Sequence, residues 1–281
     1  MEYLDSRSVH VEKTIELEEK NGVAFVYLNR PEAYNAFDRD MVQRLAEVLI
    51  ALALDQNIAG VVISGKGRAF CAGGDLRWIQ GHGKNPSEAF HELAAQFHQA
   101  ILEIRRMPKP VVAAVNGLAA GGGFSMALSC DFRIMAKSAS LKQAYTSSGL
   151  SIDGGGSFIL PRMVGAAKAL EIAAFDPSIN AEKALSWGLI TEMADDGRTV
   201  ETAFDLICKL KKRSLTSFAA SKKLITDSFN TSFETHLENE RNLLSWVAGQ
   251  PNGLEGLAAF LEKRPPVFQA PSGKDTAKMD G

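Results

Sequence analysis

Two stretches of this sequence carry residues whose types and spacing suit the stabilisation of a developing negative charge. In the first, a Val-rich apolar run from Val111 to Val115, bounded by Pro110 and Gly117, reads as a buried strand. A turn and three consecutive glycines, Gly121, Gly122 and Gly123, follow it. An apolar pattern through Met126, Ala127 and Leu128 then reads as a helix. Glycine lets a backbone approach a ligand closely, and the first N–H groups of a helix are unpaired at the positive end of its dipole. In the second stretch, Val61–Gly65 is again a short β-type run. It leads through Lys66, Gly67 and Arg68 into Ala69-Phe70-Cys71-Ala72-Gly73-Gly74-Asp75-Leu76. A donor at this turn, aimed at the same point as the first, completes an oxyanion hole. Losing one such donor costs about 2.7–4 kcal/mol of transition-state stabilisation. Tight strand–helix packing without a ligand is the other use these glycines allow.

The two stretches, AFCAGGDL and NGLAAGGGFSMALSCD, resemble the paired oxyanion-hole motifs of the crotonase (enoyl-CoA hydratase/isomerase) superfamily. The resemblance runs from about residue 12 to about residue 268. It implies oxyanion amides at Gly74 and Gly122 and an acyl-CoA thioester substrate, with no separate cofactor. Several coenzyme A contacts are implied as well. Asn35 and Ala36, in NRPEAYNAF, match the family's first CoA-binding loop. Ala72 matches the residue whose carbonyl reads the adenine amine, and Arg77 a basic residue near the nucleotide. Phe260 and Lys263, in LAAFLEKR, match tail residues that reach the nucleotide, often from a neighbouring subunit. Read without the resemblance, Phe260 is an apolar face residue and Lys263 a solvated charge.

The departures from the family pattern bear on the reaction. Hydratases of the family use two glutamates to position and activate a water. The first of these positions falls on Ser125 and the second on Tyr145. A serine hydroxyl is far too weak a base and tyrosine has a reference pKa near 10, which argues against ordinary two-glutamate hydration. A carboxylate does occur on a glycine-rich loop, Asp153 in GLSIDGGGSFILPR. This loop resembles the one in which isomerase and some hydrolase members carry a functional Asp. The pattern is most similar to the ring-epoxide isomerases, which also convert 3-enoyl-CoA to 2-enoyl-CoA and lack both glutamates. That resemblance implies Asp153 as the acid/base of an isomerase in fatty-acid or aromatic-acid breakdown. A free Asp is a weak base, with a reference pKa near 3.9, so the apolar neighbours Ile152 and Phe158 are expected to dry the site. Three other readings stand beside it. Asp153 is a nucleophile in a CoA-thioester hydrolase or dehalogenase, with His82 as the loop candidate for a histidine base; the chain is a non-catalytic acyl-CoA-binding homologue; or Asp153 only makes a turn beside Gly154.

The elements that must position these residues follow from pattern. Thr14–Glu18 and Val23–Leu28 alternate around Asn21-Gly22, a hairpin signal. Asp38 is a candidate N-cap for a helix running to about Leu54. Gly81–Pro86 is polar and aperiodic and reads as a mobile loop, and loop residues 78–90 are expected to shape the acyl pocket. A helix from about Ser87 to Met107 carries His91 and His98, both read as surface or packing residues. Strands are expected at Asp131–Ala136, Ser140–Lys142 and Leu189–Met193, and helices dominate from about residue 166 onward. Recurring strand–strand–helix units point to an α/β fold. The resemblance specifies a crotonase-like ββα spiral with a C-terminal helical trimerisation region. The expected division is 1–199 for the spiral core, 200–268 for the helical region and 269–281 for a flexible tail. A homotrimer or dimer of trimers is implied.

Composition sets bounds on partners. A chain of 281 residues with 46% apolar content can bury a full core, and a net charge of −2 leaves no basic footprint for nucleic acid. The run Lys209, Lys211, Lys212 and Arg213 reads as a solvated helix face. Cys71, Cys130 and Cys208 are an odd number at no metal spacing, and the five histidines are scattered, so no metal is expected. No apolar run reaches the length of a membrane span, and residues 1–13 carry no targeting pattern. A cytoplasmic protein is the expectation.

Overall fold

The computed structural model describes residues 14–82 and 85–269. Asn21 and Gly22, with φ of 53° and 70°, form the two-residue turn that their types favour. They join β1 (Ile15–Lys20) to β2 (Val23–Leu28) in an antiparallel hairpin that pairs Lys20 with Val23. Then comes α1 (Arg39–Leu54), capped by the Asp38 side chain, which accepts from the Met41 amide. Three units of two strands and helix follow. They are β3 (Gly60–Gly65), β4 (Ala69–Cys71), α2 (Leu76–Gly81) and α3 (Pro86–Arg106); β5 (Val111–Val115), β6 (Leu118–Ala120) and α4 (Gly122–Ser129); β7 (Phe132–Ala136), β8 (Ser140–Lys142) and α5 (Gly156–Val164). The rest of the chain is α6 (Ala166–Phe175), β9 (Ile179–Asn180), α7 (Ala181–Ser186), β10 (Glu192–Ala194), α8 (Thr199–Leu210), α9 (Leu215–Asp227), α10 (Phe233–Ala248) and α11 (Pro251–Leu261).

The first strand of each unit enters one sheet, ordered β1-β2-β3-β5-β7-β10, and the second enters a smaller one, ordered β4-β6-β8-β9. This is the ββα spiral that the resemblance implied. The central strands β3 and β5 of the large sheet are covered on both faces, which is why they read as unbroken apolar runs. Val111, Ala113 and Val115 face a core shared with α1, α3 and α4. Val112 and Ala114 face a second cluster with Phe25, Val62, Ile134 and, from α8, Ala203 and Ile207. Packing rather than capping holds α1. Truncating the fully buried Leu45 costs about 2–5 kcal/mol, against about 1 kcal/mol for loss of the Asp38 cap.

The division expected at residue 200 falls one helix before the chain leaves the sheet, since α8 closes the sheet's second face. Beyond it, α9 is tied back by the buried Lys222. Its Nζ donates to the carbonyls of Ile104 (2.9 Å) and Lys109 (3.1 Å) and to the Asp131 carboxylate (2.7 Å). The same carboxylate takes the Val111 amide at 2.8 Å, at the start of β5. In contrast, α10 buries none of its residues, and Leu244, Leu254, Leu257 and Phe260 stand exposed on α10 and α11.

The loop expected at Gly81–Pro86 falls between α2, which ends at Gly81, and α3, which begins at Pro86 with Asn85 as its cap; residues 83–84 lie outside the described residues. Two expectations are corrected. The strand expected at Leu189–Met193 forms at Glu192–Ala194, beside β7, while Leu189 and Ile190 are buried without pairing after the Gly188 turn. The glycine-loop turns contain the three-residue strands β4 and β6. Residues 1–13 and the frayed end expected at Lys274–Gly281 lie outside the described residues. Among the described residues, no helix is long and apolar enough to cross a membrane.

Candidate active site

From the end of β4 the chain turns through Ala72, Gly73 and Gly74 and meets the loop before α4 backbone against backbone. Gly73 has a φ of 91°, and a Cβ there would lie 2.9 Å from both the Ala120 carbonyl oxygen and the Gly122 nitrogen. A Cβ on Gly123 would lie 2.2 Å from the Cys71 carbonyl oxygen. Only glycine permits this approach. The Phe37 amide donates to the Gly73 carbonyl at 2.7 Å and the Asp75 amide to the Phe37 carbonyl at 2.8 Å, stitching the first loop in place. Gly74 and Gly122 both line a cavity of about 400 Å³. Among the described residues, neither amide donates to a backbone carbonyl. The helix α4, buried over its whole length, directs its N-terminus at this cavity without any side-chain cap.

Arg30, which the sequence analysis did not single out, braces this frame. Its guanidinium reaches the Ala36 carbonyl (2.6 Å), Asp38 (3.1 Å) and Asp75 (2.9 Å), tying together the N-caps of α1 and α2. Burial alone would raise the Asp75 pKa, but Arg30 and the Trp78 and Arg77 amides hold the carboxyl below its usual range. An arginine beside two N-cap aspartates in space has no signal at the level of sequence spacing.

Asp153 lines the same cavity as the two amides, together with Phe37, Phe90, Leu93, Phe97 and Tyr145. Its Oδ1 lies 2.6 Å from His98 Nε2. His98 is exposed, as its reading as a surface residue implied, and it is also paired with the Asp153 carboxylate, which that reading did not anticipate. His82, the loop candidate for a base, instead stacks on Trp78 with ring centroids 4.2 Å apart and pairs with Glu92 at 3.0 Å. His91 lines the cavity. Asp153 is 39% exposed at its side chain. The dry surroundings expected from Ile152 and Phe158 are not formed by these two. Ile152 lines a separate groove with Leu160, and Phe158 lies under Arg162.

The two family glutamate positions face the Asp153 peptide. Ser125 Oγ donates to the Asp153 carbonyl at 2.6 Å, the Tyr145 hydroxyl reaches the same oxygen at 3.4 Å, and the two hydroxyls are 3.3 Å apart. Burial pushes the Tyr145 phenol well above its ordinary range, with the nearby Asp153 charge adding to it, so the group stays a neutral hydroxyl.

The expected coenzyme A positions are more scattered. Asn35 is fully buried, and its side chain accepts from the Arg30 amide and donates to the Lys66 and Ala69 carbonyls. Its side chain therefore holds the β3–β4 turn. Ala36 is buried, with its carbonyl taken by Arg30. Ala72 is half-buried beside Gly73, and its amide donates to the Tyr34 carbonyl. Arg77 stands exposed on the first turn of α2. Phe260 and Lys263 are exposed at the end of α11 and line no part of the cavity. The pocket expected from residues 78–90 draws on Ser87 and Phe90 but is walled mainly by α3 and by Leu150 and Ser151.

The family model for enoyl-CoA hydratase/isomerase matches residues 18–271. The chain belongs to this family. It is 35% identical to the 1,2-epoxyphenylacetyl-CoA isomerase of Escherichia coli (strain K12), over 92% of this chain and 96% of that one. It is 30% identical to 4-chlorobenzoyl coenzyme A dehalogenase-2 of Arthrobacter sp, over 89% and 91% of the two chains. Among solved structures it is similar to an enoyl-CoA hydratase from Polaromonas sp. JS666, at 35% identity and a TM-score of 0.86, covering 91% of this chain and all of that one. These crotonase-fold relatives carry the names of three different reactions, so membership alone does not select one.

Proposed function

We propose that this crotonase-family enzyme is an enoyl-CoA isomerase. The observation that carries the reading is that Asp153 is the one carboxylate among the described residues lining the cavity into which Gly74 and Gly122 open. The Gly74 and Gly122 amides hold the thioester oxygen as it becomes enolate-like. The Asp153 carboxylate takes a proton from the α-carbon of a 3-enoyl thioester, and the electron pair moves into the enolate. Returning that proton to the γ-carbon leaves the double bond conjugated with the thioester. The substrate brings its own coenzyme A, and no further cofactor enters. In the tautomer protonated at Nε2, His98 donates to Oδ1 and leaves Oδ2 for the substrate. Phe90, Leu93 and Phe97 give the acyl chain an apolar wall. The exposed apolar sides of α10 and α11 support a trimer or dimer of trimers, in which Phe260 and Lys263 reach a neighbour's nucleotide.

The test follows conjugation of a 3-enoyl-CoA by absorbance. Asp153→Asn is expected to lower kcat by about 10²–10⁴-fold with acyl-CoA binding kept. Equal turnover by both proteins overturns the reading.

The His98 contact favours a second reading: Asp153 attacks the thioester carbonyl carbon and expels the CoA thiolate, or attacks a halogenated aryl carbon and expels halide, and His98 takes a proton from the water that attacks the Asp153 acyl carbon and frees the carboxylate with the product. His98→Gln separates the two. Proton shuttling predicts a loss of about ten-fold in conjugation and no covalent species. An adduct on Asp153, seen by mass spectrometry after mixing with an acyl- or aryl-CoA, would establish the nucleophile.

A further inference from the structure

We propose that Ser125 and Tyr145, the positions where related hydratases place glutamates, act here as positioning residues: a two-hydroxyl clamp on the Asp153 carbonyl that aims its carboxyl into the cavity. The proposal rests on the reading of Asp153 as the acid/base. Three observations carry it. The first is convergence. The Asp153 carbonyl oxygen receives Ser125 Oγ at 2.6 Å and the Tyr145 hydroxyl at 3.4 Å, in addition to the Gly156 amide at 3.1 Å that closes the local turn. The Gly156 bond shapes the loop, whereas the two hydroxyls pin it to the rest of the molecule.

The second is the anchor. Ser125 is fully buried on α4, three residues after Gly122, and so lies about 4.5 Å further along the same helix axis. Its own carbonyl is taken by Ser129 Oγ at 2.9 Å. One buried helix therefore carries an oxyanion amide at its first turn and the principal clamp hydroxyl at the next. The distance between the stabilised oxygen and the acid/base group is set by that helix rather than by the loop.

The third is space. A Cβ on Gly154 would lie 2.4 Å from Phe97 Cε1 and 3.1 Å from Ser125 Cβ, and one on Gly156 would lie 2.6 Å from Ser125 Oγ. The glycine-rich loop is wrapped around a serine-sized side chain. Neither glycine leaves room for a Cβ beside the Ser125 side chain, so loop and serine are packed in direct contact.

Fixing a reacting group to within a fraction of an ångström is worth a large factor in rate, since a 1 Å misplacement costs about a hundred-fold. The test uses the full chain with Ser125→Ala, Tyr145→Phe, the double variant and Asp153→Asn. It measures kcat and KM for a 3-enoyl-CoA, thermal unfolding, and the imidazole ¹⁵N shifts of His98. Ser125→Ala is expected to lower kcat by about ten- to a hundred-fold with KM little changed, and Tyr145→Phe by less, in keeping with its longer bond. The double variant should be no worse than their product, because both act on one oxygen. The His98 signals should move toward those of Asp153→Asn, a change that general loosening of the core does not produce. Wild-type kcat in Ser125→Ala, or a fall in kcat with unmoved His98 signals, overturns the clamp. If Ser125→Ala does not fold, Tyr145→Phe carries the same two readouts with the same consequences. An active Asp153→Asn overturns the acid/base reading itself. An inactive Asp153→Asn beside fully active clamp variants overturns the clamp alone.

Discussion

Part of the site is made of main chain and part of side chains. At Gly73, Gly121 and Gly123, backbone meets backbone, and what the site presents is an amide whose direction follows from the fold. At Asp153, His98, Ser125 and Tyr145, each group is a side chain on a different element, held by hydrogen bonds of 2.6 to 3.4 Å. The first construction admits almost no change of residue. The second can be rewritten by a few substitutions while the scaffold stays. On the proposed reading of Gly74 and Gly122 as the oxyanion amides, a fixed main-chain frame beside exchangeable side chains gives a physical account of relatives that carry the names of an isomerase, a hydratase and a dehalogenase.

Substitutions on each side can break or sharpen this contrast. Gly123→Ala should have the largest effect, because its Cβ would overlap the Cys71 carbonyl oxygen at 2.2 Å. A loss of about 3 kcal/mol or more in chemical denaturation, or no soluble protein, is expected. A variant of ordinary stability would break the main-chain half of the comparison. Asp153→Asn is the counterpart among the side chains, costing rate by orders of magnitude and stability by less than about 1 kcal/mol. Gly122→Ala and Gly74→Ala sharpen the picture further. A Cβ on Gly122 meets the Phe37 ring at 3.0 Å, whereas one on Gly74 meets only Ile79 and Leu93, at 3.4 and 3.5 Å. Gly122→Ala should therefore lower kcat up to about a hundred-fold and Gly74→Ala by only a few-fold, measured on the same 3-enoyl-CoA.

The smallest effect concerns alkaline stability. Burial pushes the thiols of Cys71 and Cys130 up to about 12 from an ordinary 9.0, and burial beside Glu18 and Glu16 pushes the Tyr27 phenol up to about 12 from 10.0. The unfolded chain sheds these protons first, so stability is intact below pH 9 and falls as pH rises toward 12. Lys109, pushed down by burial to about 8, has the opposite sign: the unfolded chain keeps its proton longer, and stability gains between about pH 8 and 10.5. The raised thiols and phenols, Cys71, Cys130, Tyr27 and Tyr145, outweigh the two lysines that burial lowers, Lys109 and Lys222, so the urea midpoint should decline above about pH 10, and less steeply in Cys71→Ala. A midpoint that holds level to pH 11 contradicts this.

The sequence exposed the main-chain part and hid most of the other. Gly73 and Gly121 needed to be glycine for reasons local to their own backbone, so their pattern survives in one dimension. The apolar runs of β3 and β5 and the buried face of α1 were legible for the same reason. The strands β4, β6 and β9 are three residues or fewer, too short for any period to show. His98 lies 55 residues from Asp153, and only the packing of α3 against the 150s loop joins them. Asn35 was read as a ligand contact because its neighbours match a binding loop; that its side-chain amide holds the Lys66 and Ala69 carbonyls was not legible. Ser125 and Tyr145 were legible as losses of a carboxylate and not as a gain of hydrogen bonds to one oxygen.

Lys222 also sets an order of events. Asp131 is synthesised 91 residues before the lysine that neutralises it, and the Lys109 and Ile104 carbonyls precede it by 113 and 118. At a synthesis rate of about 5–20 residues per second, β5 and β7 are made for about 5–18 s before α9 can reach them. During that interval the start of β5 carries a carboxylate without its cation, beside apolar strands that α8 has yet to cover. The spiral is laid down early and sealed late.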